Sequence, residues 1–316
     1  MKQPLNARPS PSLPRNPPDP TGGLAAELRP GQSLELLKEL HILTREGRLN
    51  QDSRRKLKQV YHLYQFIETL LGELAAGQWP ADPSQAPAEQ ANGAPGITVA
   101  DHGAGKSYLG FILYDLYFRT LPVGQIYGIE TRAELVQRSR ALAQRLDFTR
   151  MSFLDQSVAE SATSAQLPAH IDMVTALHAC DTATDDAIQF GLQKTARCFV
   201  LVPCCQAECA RLLNANKALS LGRTPLAELW RHPLHTREMG SQLTNVLRCL
   251  YLEARGYQVT VTELVGWEHS MKNELILARY TGRPRRSAAH RLRALLDQFG
   301  LLALLETRFI GVGSLL

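Results

Sequence analysis

The 316-residue sequence predicts an α/β fold: a seven-stranded, mainly parallel sheet with helices on both faces, an antiparallel last strand and an α-helical N-terminal extension. Three observations predict it. From residue 97 onward, short β-branched or aliphatic runs alternate with helical stretches, the pattern of a parallel sheet whose crossovers are helices. The last two runs, YQVTVTELV and ELILARY, are separated only by GWEHSMKN, too short for a helical crossover, so they pair antiparallel. The first run, GITVA, leads through an acid into a glycine-rich turn, DHGAGKS, before its helix begins.

The elements follow in order. Residues 1–32 carry repeated Pro with Gly, Ser and Asn, and bury too little apolar surface to offset the entropy of ordering, so disorder is expected. Residues 33–78 read as a helical extension. SLELLKELHILTREGRL is expected as one helix, and DSRRKLKQVYHLYQFIETLLGELAAG as a longer one. In the second, Leu57, Val60, Tyr61, Tyr64, Ile67, Leu71 and Leu74 fall on one packing stripe. Residues 79–96, rich in Pro, Ala, Gln and Gly, read as a linker. The α/β domain spans 97–282: GITVA, QIYGIE, MSFL, IDMVTALHA and CFVLVP as strands with helices between them, then a helix through LTNVLRCLYLEARG and the two final strands. A basic helix, SAAHRLRALLDQFG, and a short apolar tail fill 283–316.

Composition narrows the class. Hydrophobic residues make up 44% of the chain, and no apolar run approaches the roughly 20 residues of a membrane helix, so a soluble protein without a membrane partner is expected. The six cysteines all lie in the second half, unlike a disulfide framework, and the N-terminal residues lack an apolar export segment. A reducing cytoplasm fits. Net charge is +5, and its placement says more than its total. Arg54, Arg55, Lys56 and Lys58, and Arg283, Arg285, Arg286, Arg291 and Arg293, form two basic clusters. They read either as grips for RNA phosphates or as solvated faces.

The glycine-rich turn carries the chemistry. Gly103 and Gly105 let the backbone approach a ligand, and the following helix offers unpaired N–H groups. The dinucleotide fingerprint G-x-G-x-x-G fails at Tyr108. GKS at 105–107 ends like a P-loop, but Ala100 stands at that motif's first glycine and no apolar strand ends in an Asp to hold Mg²⁺. A P-loop-like nucleotide-binding protein remains the alternative. Asp101, Gly103 and Gly105, with Ser107 at the third glycine, resemble the D-x-G-x-G-x-G loop of S-adenosyl-L-methionine-dependent methyltransferases with a Rossmann-like sheet. That resemblance implies a cofactor site on Asp101, Gly103, Gly105, Ser107 and Tyr108, with Glu130 at the end of the second strand for the ribose hydroxyls. It also puts Asp155 and Gln156 beside the adenine, and His178 at the mouth. Glu130 also reads simply as an acid favoured at a helix N-terminus.

An acceptor would enter at the carboxyl end of the fourth and fifth strands, where open α/β sheets bind ligands. His178, Cys180 and Asp181 lie after the fourth strand, with Thr182 expected to cap the next helix in a capping-box-like pair with Asp185. Cys204 and Cys205 follow the fifth. His178 is the candidate general base, and Cys204, after Pro203, is the candidate nucleophile. A zinc site on Cys180, Cys204, Cys205 and Cys209 lacks the usual C-x-x-C spacing, so no metal is expected. Glu268, His269, Lys272 and Asn273 interrupt the last two strands with four hydrogen-bonding side chains, either a plain hairpin loop or part of the acceptor pocket.

DHGAGKSYL, ALHACDTATD, VPCC and EHSMKN together resemble the family of methyltransferases that includes the methyltransferase-like-25 proteins and the glutathione S-transferase C-terminal domain-containing protein, over about residues 54–282. More distantly, the His-x-Cys-x-x-Ala-Thr-Asp spacing and the Pro-Cys-Cys block are similar to those of the tRNA 2′-O-methyltransferase acting on the acceptor stem. That enzyme's zinc module has no counterpart here. The resemblance implies methyl transfer, with tRNA or rRNA as the acceptor. The rival class is a non-catalytic RNA-binding protein that keeps the fold.

Overall fold

A computed structural model describes residues 27–79, 96–177, 179–203, 206–215, 224–264 and 274–316. By its contacts the chain divides into Met1–Gln32 and Ser33–Leu316. Of the first unit, residues 27–32 are described and form turns; the expected disorder of the preceding residues lies outside the described part.

The second unit contains the seven-stranded sheet: β1 (Thr98–His102), β2 (Gln125–Glu130), β3 (Met151–Asp155), β4 (Met173–Ala176), β5 (Cys198–Leu201), β6 (Tyr257–Glu263) and β7 (Glu274–Tyr280). Their order is β3-β2-β1-β4-β5-β7-β6. β1 to β5 are parallel, and β7 runs antiparallel to both β5 and β6. The expected topology is therefore present. β4 and β5 are buried along their whole length, as strands covered by helices on both faces must be. Strand order reverses at β1, whose neighbours are β2 and β4, and this opens a crevice beyond the carboxyl ends of β1 and β4.

The helices are α1 (Leu34–Glu39), α2 (Gln51–Ala75), α3 (Tyr108–Leu116), α4 (Ala133–Arg145), α5 (Val158–Thr163), α6 (Ala183–Gln193), α7 (Glu208–Ala215), α8 (Pro233–Ala254), α9 (Arg286–Gln298) and α10 (Leu304–Thr307). The expected single helix over residues 33–49 stops at Glu39. His41 turns left-handed at φ 54°, and the Ile42 and Leu43 amides both return to the Leu37 carbonyl, burying Ile42 and Leu43. α2 matches its expected stripe, with Leu57, Tyr64, Ile67, Leu71 and Leu74 buried. The extension is fastened to the rest of the unit by polar contacts. The Ser33 amide donates to Asp115 at 2.9 Å, the Tyr64 hydroxyl to the Leu116 carbonyl, and the Tyr117 hydroxyl to the Leu71 carbonyl.

α8 starts ten residues before the expected apolar pattern, at Pro233, whose fixed φ suits a first helical position. It carries Arg248, which is fully buried. The Arg248 guanidinium donates to both Asp185 carboxylate oxygens in α6 (2.8 and 2.6 Å), to the Asp181 carbonyl (2.7 Å) and to Asn245 (3.2 Å). Each of the three guanidinium nitrogens thus has a partner, and α8 is bolted to α6 and to the turn after β4. α9 is no free basic tail: Ala288, Ala289, Leu292 and Leu296 are buried in the core. Arg285 and Arg291 meet Glu253, and Arg55 meets Asp52, so both basic clusters are partly neutralised within the chain. Among the described residues, no helix is long and apolar enough to cross a membrane.

Candidate active site

β1 delivers Asp101 and His102 to the switch point on opposite faces, since successive strand side chains alternate. Asp101 is buried and accepts a 2.7 Å hydrogen bond from Thr175, its register partner on β4. Burial pushes its carboxyl up to about 7, against the Thr175 hydrogen bond that favours the charged form. His102 has no exposed surface, packs edge-on against Phe190, and meets no polar partner at either ring nitrogen among the described residues. Burial lowers it to about 3, so it is neutral at physiological pH.

The chain then turns through three left-handed residues, Gly103 (φ 61°), Gly105 (φ 58°) and Ser107 (φ 53°). A Cβ at Gly103 would stand 3.2 Å from the Ala179 backbone, so the first glycine permits close approach of this loop to the turn after β4. Ser107 occupies the third glycine position in the conformation that glycine favours, and its hydroxyl is buried without a partner among the described residues. Left-handed strain in an L-residue costs about 1–2 kcal/mol, and an unpaired buried hydroxyl adds to it. Ser107→Gly is expected to raise stability by about 1 kcal/mol after the entropy that glycine adds to the unfolded chain, read as a rise in the denaturant midpoint. A lower midpoint would show that the serine is supported rather than strained.

Glu130 closes β2 and is the hub of the loop. One carboxylate oxygen accepts the Gly105 amide at 2.7 Å and an Arg132 terminal nitrogen at 3.1 Å. The other accepts the Thr131 and Arg132 amides and the Arg132 Nε at 3.0 Å. Burial opposes its ionisation, but the hydrogen bonds from Arg132 and the Gly105 amide outweigh it and hold the carboxyl below the usual range. Glu130 accepts amides at the start of α4, as expected of an acid at a helix N-terminus, and its carboxylate also faces the glycine loop.

Asp155 sits in register beside Glu130 on β3 and is exposed. The Gln156 amide nitrogen donates to Ser164, while its Oε1 is buried without a partner among the described residues. Asp101, Gly103, Gly105, Tyr108, Arg132 and Leu177 line a cavity of about 230 Å³. Of the expected cofactor residues, Asp101, Gly103, Gly105 and Tyr108 line it, whereas Ser107, Glu130, Asp155 and Gln156 are not in its lining. The sequence patterns passed over Arg132, which has no position in the loop motif. Its signal was only adjacency to Glu130.

On the acceptor side, His178, Cys204, Cys205, Glu268, His269, Lys272 and Asn273 lie outside the described residues. Cys180 is exposed after β4. The Asp181 carboxylate accepts the Ala207 and Glu208 amides at 2.8 and 3.0 Å, capping the start of α7. Thr182 makes no side-chain cap to α6, contrary to the expected capping box. Thr184 instead donates to the Ala179 carbonyl, and Asp185 is held by Arg248. Cys209 is buried, with its thiol pushed up to about 11 by burial.

The strand order, with β7 antiparallel between β5 and β6, is the Rossmann-like methyltransferase fold. Residues 55–211 match the family model described as a methyltransferase domain. Among solved structures, the chain is similar to the magnesium protoporphyrin IX methyltransferase of Synechocystis PCC 6803 with bound SAH: 15% identity, 83% of this chain and 100% of that one covered, TM-score 0.40. An rRNA methylase of Streptococcus thermophilus aligns at 8% identity over 59% and 87% of the two chains, with TM-score 0.36. TrmK of M. capricolum with SAH aligns at 9% identity over 67% and 81%, with TM-score 0.37. No curated protein matches the sequence.

Proposed function

We propose that the protein transfers a methyl group from S-adenosyl-L-methionine to RNA, and that Glu130 is the centre of its cofactor site. The observation that carries this reading is the carboxylate of Glu130, fastened to the Gly105 amide at the edge of the cavity. The residues present fit the cofactor. Glu130 would accept the ribose hydroxyls, which requires the exposed Arg132 side chain to give up its place on the carboxylate. The unpartnered Gln156 Oε1 would accept from the adenine amine, with Asp155 beside it. Asp101, lining the cavity, would face the amino-acid end, and Ser107 and Tyr108 begin the helix behind the loop. The cofactor supplies a methyl on an already activated sulfonium, so the chain's task is to align the acceptor and exclude water.

The domain limits at 33–78, 97–282 and 283–316 belong to this reading. So do membership of the family that includes the methyltransferase-like-25 proteins, a cytoplasmic location, and an acceptor pocket on Cys180, Asp181, Cys204, Cys205, Glu268, His269, Lys272 and Asn273. His178 would serve as base where the acceptor atom carries a proton. Asp181 would contribute through its backbone position, because its carboxylate already caps α7.

Calorimetric titration with S-adenosylmethionine and S-adenosylhomocysteine, with Mg·ATP as control, tests the cofactor. Binding of both sulfur compounds and not of ATP is expected; ATP binding alone would favour a P-loop-like protein and overturn the reading. A pH series adds a sharper test. Asp101 is protonated below about 7, and only its ionised form pairs with the cofactor's ammonium group. Affinity is expected to rise as pH increases through 7, and that rise should vanish in Asp101→Asn. A flat profile in the unmodified protein would remove Asp101 from ammonium recognition.

A further inference from the structure

A second cavity, of about 300 Å³, adjoins the first and shares Lys106 and Tyr108 with it, lying between the turn after α1, the glycine loop and α4. His41, Lys106, Arg138, Arg145 and buried Ser139 line it, together with one acid, Glu39. Glu39 is already committed to Arg145 at 2.7 Å. Lys106 and Arg138 carry no ion pair among the described residues, although the glycine loop and α4 bring them to the same opening. Lys106 and Arg138 are exposed, so water screens their mutual repulsion, but they share one opening whose acid, Glu39, is already paired, and this leaves room for an anion between them. Arg138 offers the planar fork that suits phosphate oxygens, Lys106 a point charge, and Ser139 a hydroxyl. Lys106 also lines the cavity beside Glu130, so an anion here lies next to the glycine loop.

We propose that this cavity is a phosphate-binding site, adjoining the methyl-donor pocket, that holds either a backbone phosphate of an RNA strand or the phosphate of a small molecule. The RNA source rests on the RNA reading given above; the site itself does not. The place in the fold decides between this cavity and the two basic clusters of the sequence, whose charges are partly paired within the chain.

The test uses the full chain and Arg138→Glu, with Arg138→Lys as the charge-retaining variant. Binding of a single-stranded RNA oligonucleotide and of inorganic pyrophosphate is measured over a range of salt. For an RNA source, Arg138→Glu weakens RNA binding about tenfold and lowers the slope of log affinity against log salt by about 0.7 per lost phosphate contact, while Arg138→Lys keeps most of both. For a small-molecule source, pyrophosphate binding is lost in Arg138→Glu and RNA binding is unchanged. If neither ligand responds to Arg138→Glu while the melting temperature stays the same, the proposal is overturned. S-adenosylhomocysteine titration of the same variants is expected to be unchanged, so failure of the donor-site reading shows up separately.

Discussion

Arg248→Ala is expected to lower the unfolding free energy by about 3–5 kcal/mol, the cost of stripping one partner from a buried ion pair. The guanidinium has no solvent to fall back on, being fully buried. Its removal leaves the Asp185 carboxylate and the Asp181 carbonyl without their donor, while Asn245 keeps the hydrogen bond from Gln206. The attraction between the two charges is large at this depth, but so is the cost of dehydrating them. The penalty therefore comes chiefly from the uncompensated charge left behind. Replacing both members with apolar side chains, as in Arg248→Met with Asp185→Leu, should cost less than the single change. Urea unfolding of the three proteins decides it. A single-variant loss under about 1 kcal/mol, within the range of an exposed pair, would show that water reaches the site.

Glu130→Ala is expected to weaken cofactor affinity by about 1.5–3 kcal/mol, roughly 10–150-fold, the worth of hydrogen bonds to a charged group. Two effects combine. The variant loses the proposed acceptor for the ribose, and it loses the anchor that holds the Gly105 amide. Glu130→Gln separates them, because its amide oxygen can still accept from Gly105 without the charge. Calorimetry on both variants measures this, and unchanged affinity in Glu130→Ala would take the residue out of the site.

Asp101 and His102 oppose each other in their effect on stability. Between about 4 and 6.5 the folded Asp101 holds a proton that the unfolded chain has released, which lowers stability as pH rises. Over the same window the unfolded chain protonates His102 while the folded one does not, which raises it. The pair is therefore nearly silent there. Asp101→Asn should unmask the histidine, so that stability climbs with pH by up to about 1.4 kcal/mol per unit across that window. Unfolding curves at pH 4.5 and 6.5 give the slope, and a pH-independent variant would mean His102 is hydrated.

What the sequence by itself determined was everything written in short-range pattern. Strand runs alternating with helices specified the parallel sheet, and the eight-residue gap specified the reversed last pair. The glycine spacing located the loop, and the strand runs put Glu130 and Asp155 at the ends of the second and third strands, which the sheet order then set side by side. Tertiary structure alone decided what those groups do to each other. Arg248 reads locally as one more polar residue in an amphipathic helix, yet its partner Asp185 is 63 residues away. Asp181 looked like a cleft residue and is turned to cap α7, while Thr182, with the right chemistry for a cap, lies in helical φ/ψ and makes no such bond. Lys106 and Arg138 became one site only when the glycine loop met α4. The physical reason is common to all of these. Periodicity and turn chemistry act over a few residues, whereas desolvation, pairing of buried charge and the shape of a cavity depend on which distant segments the packed core brings together.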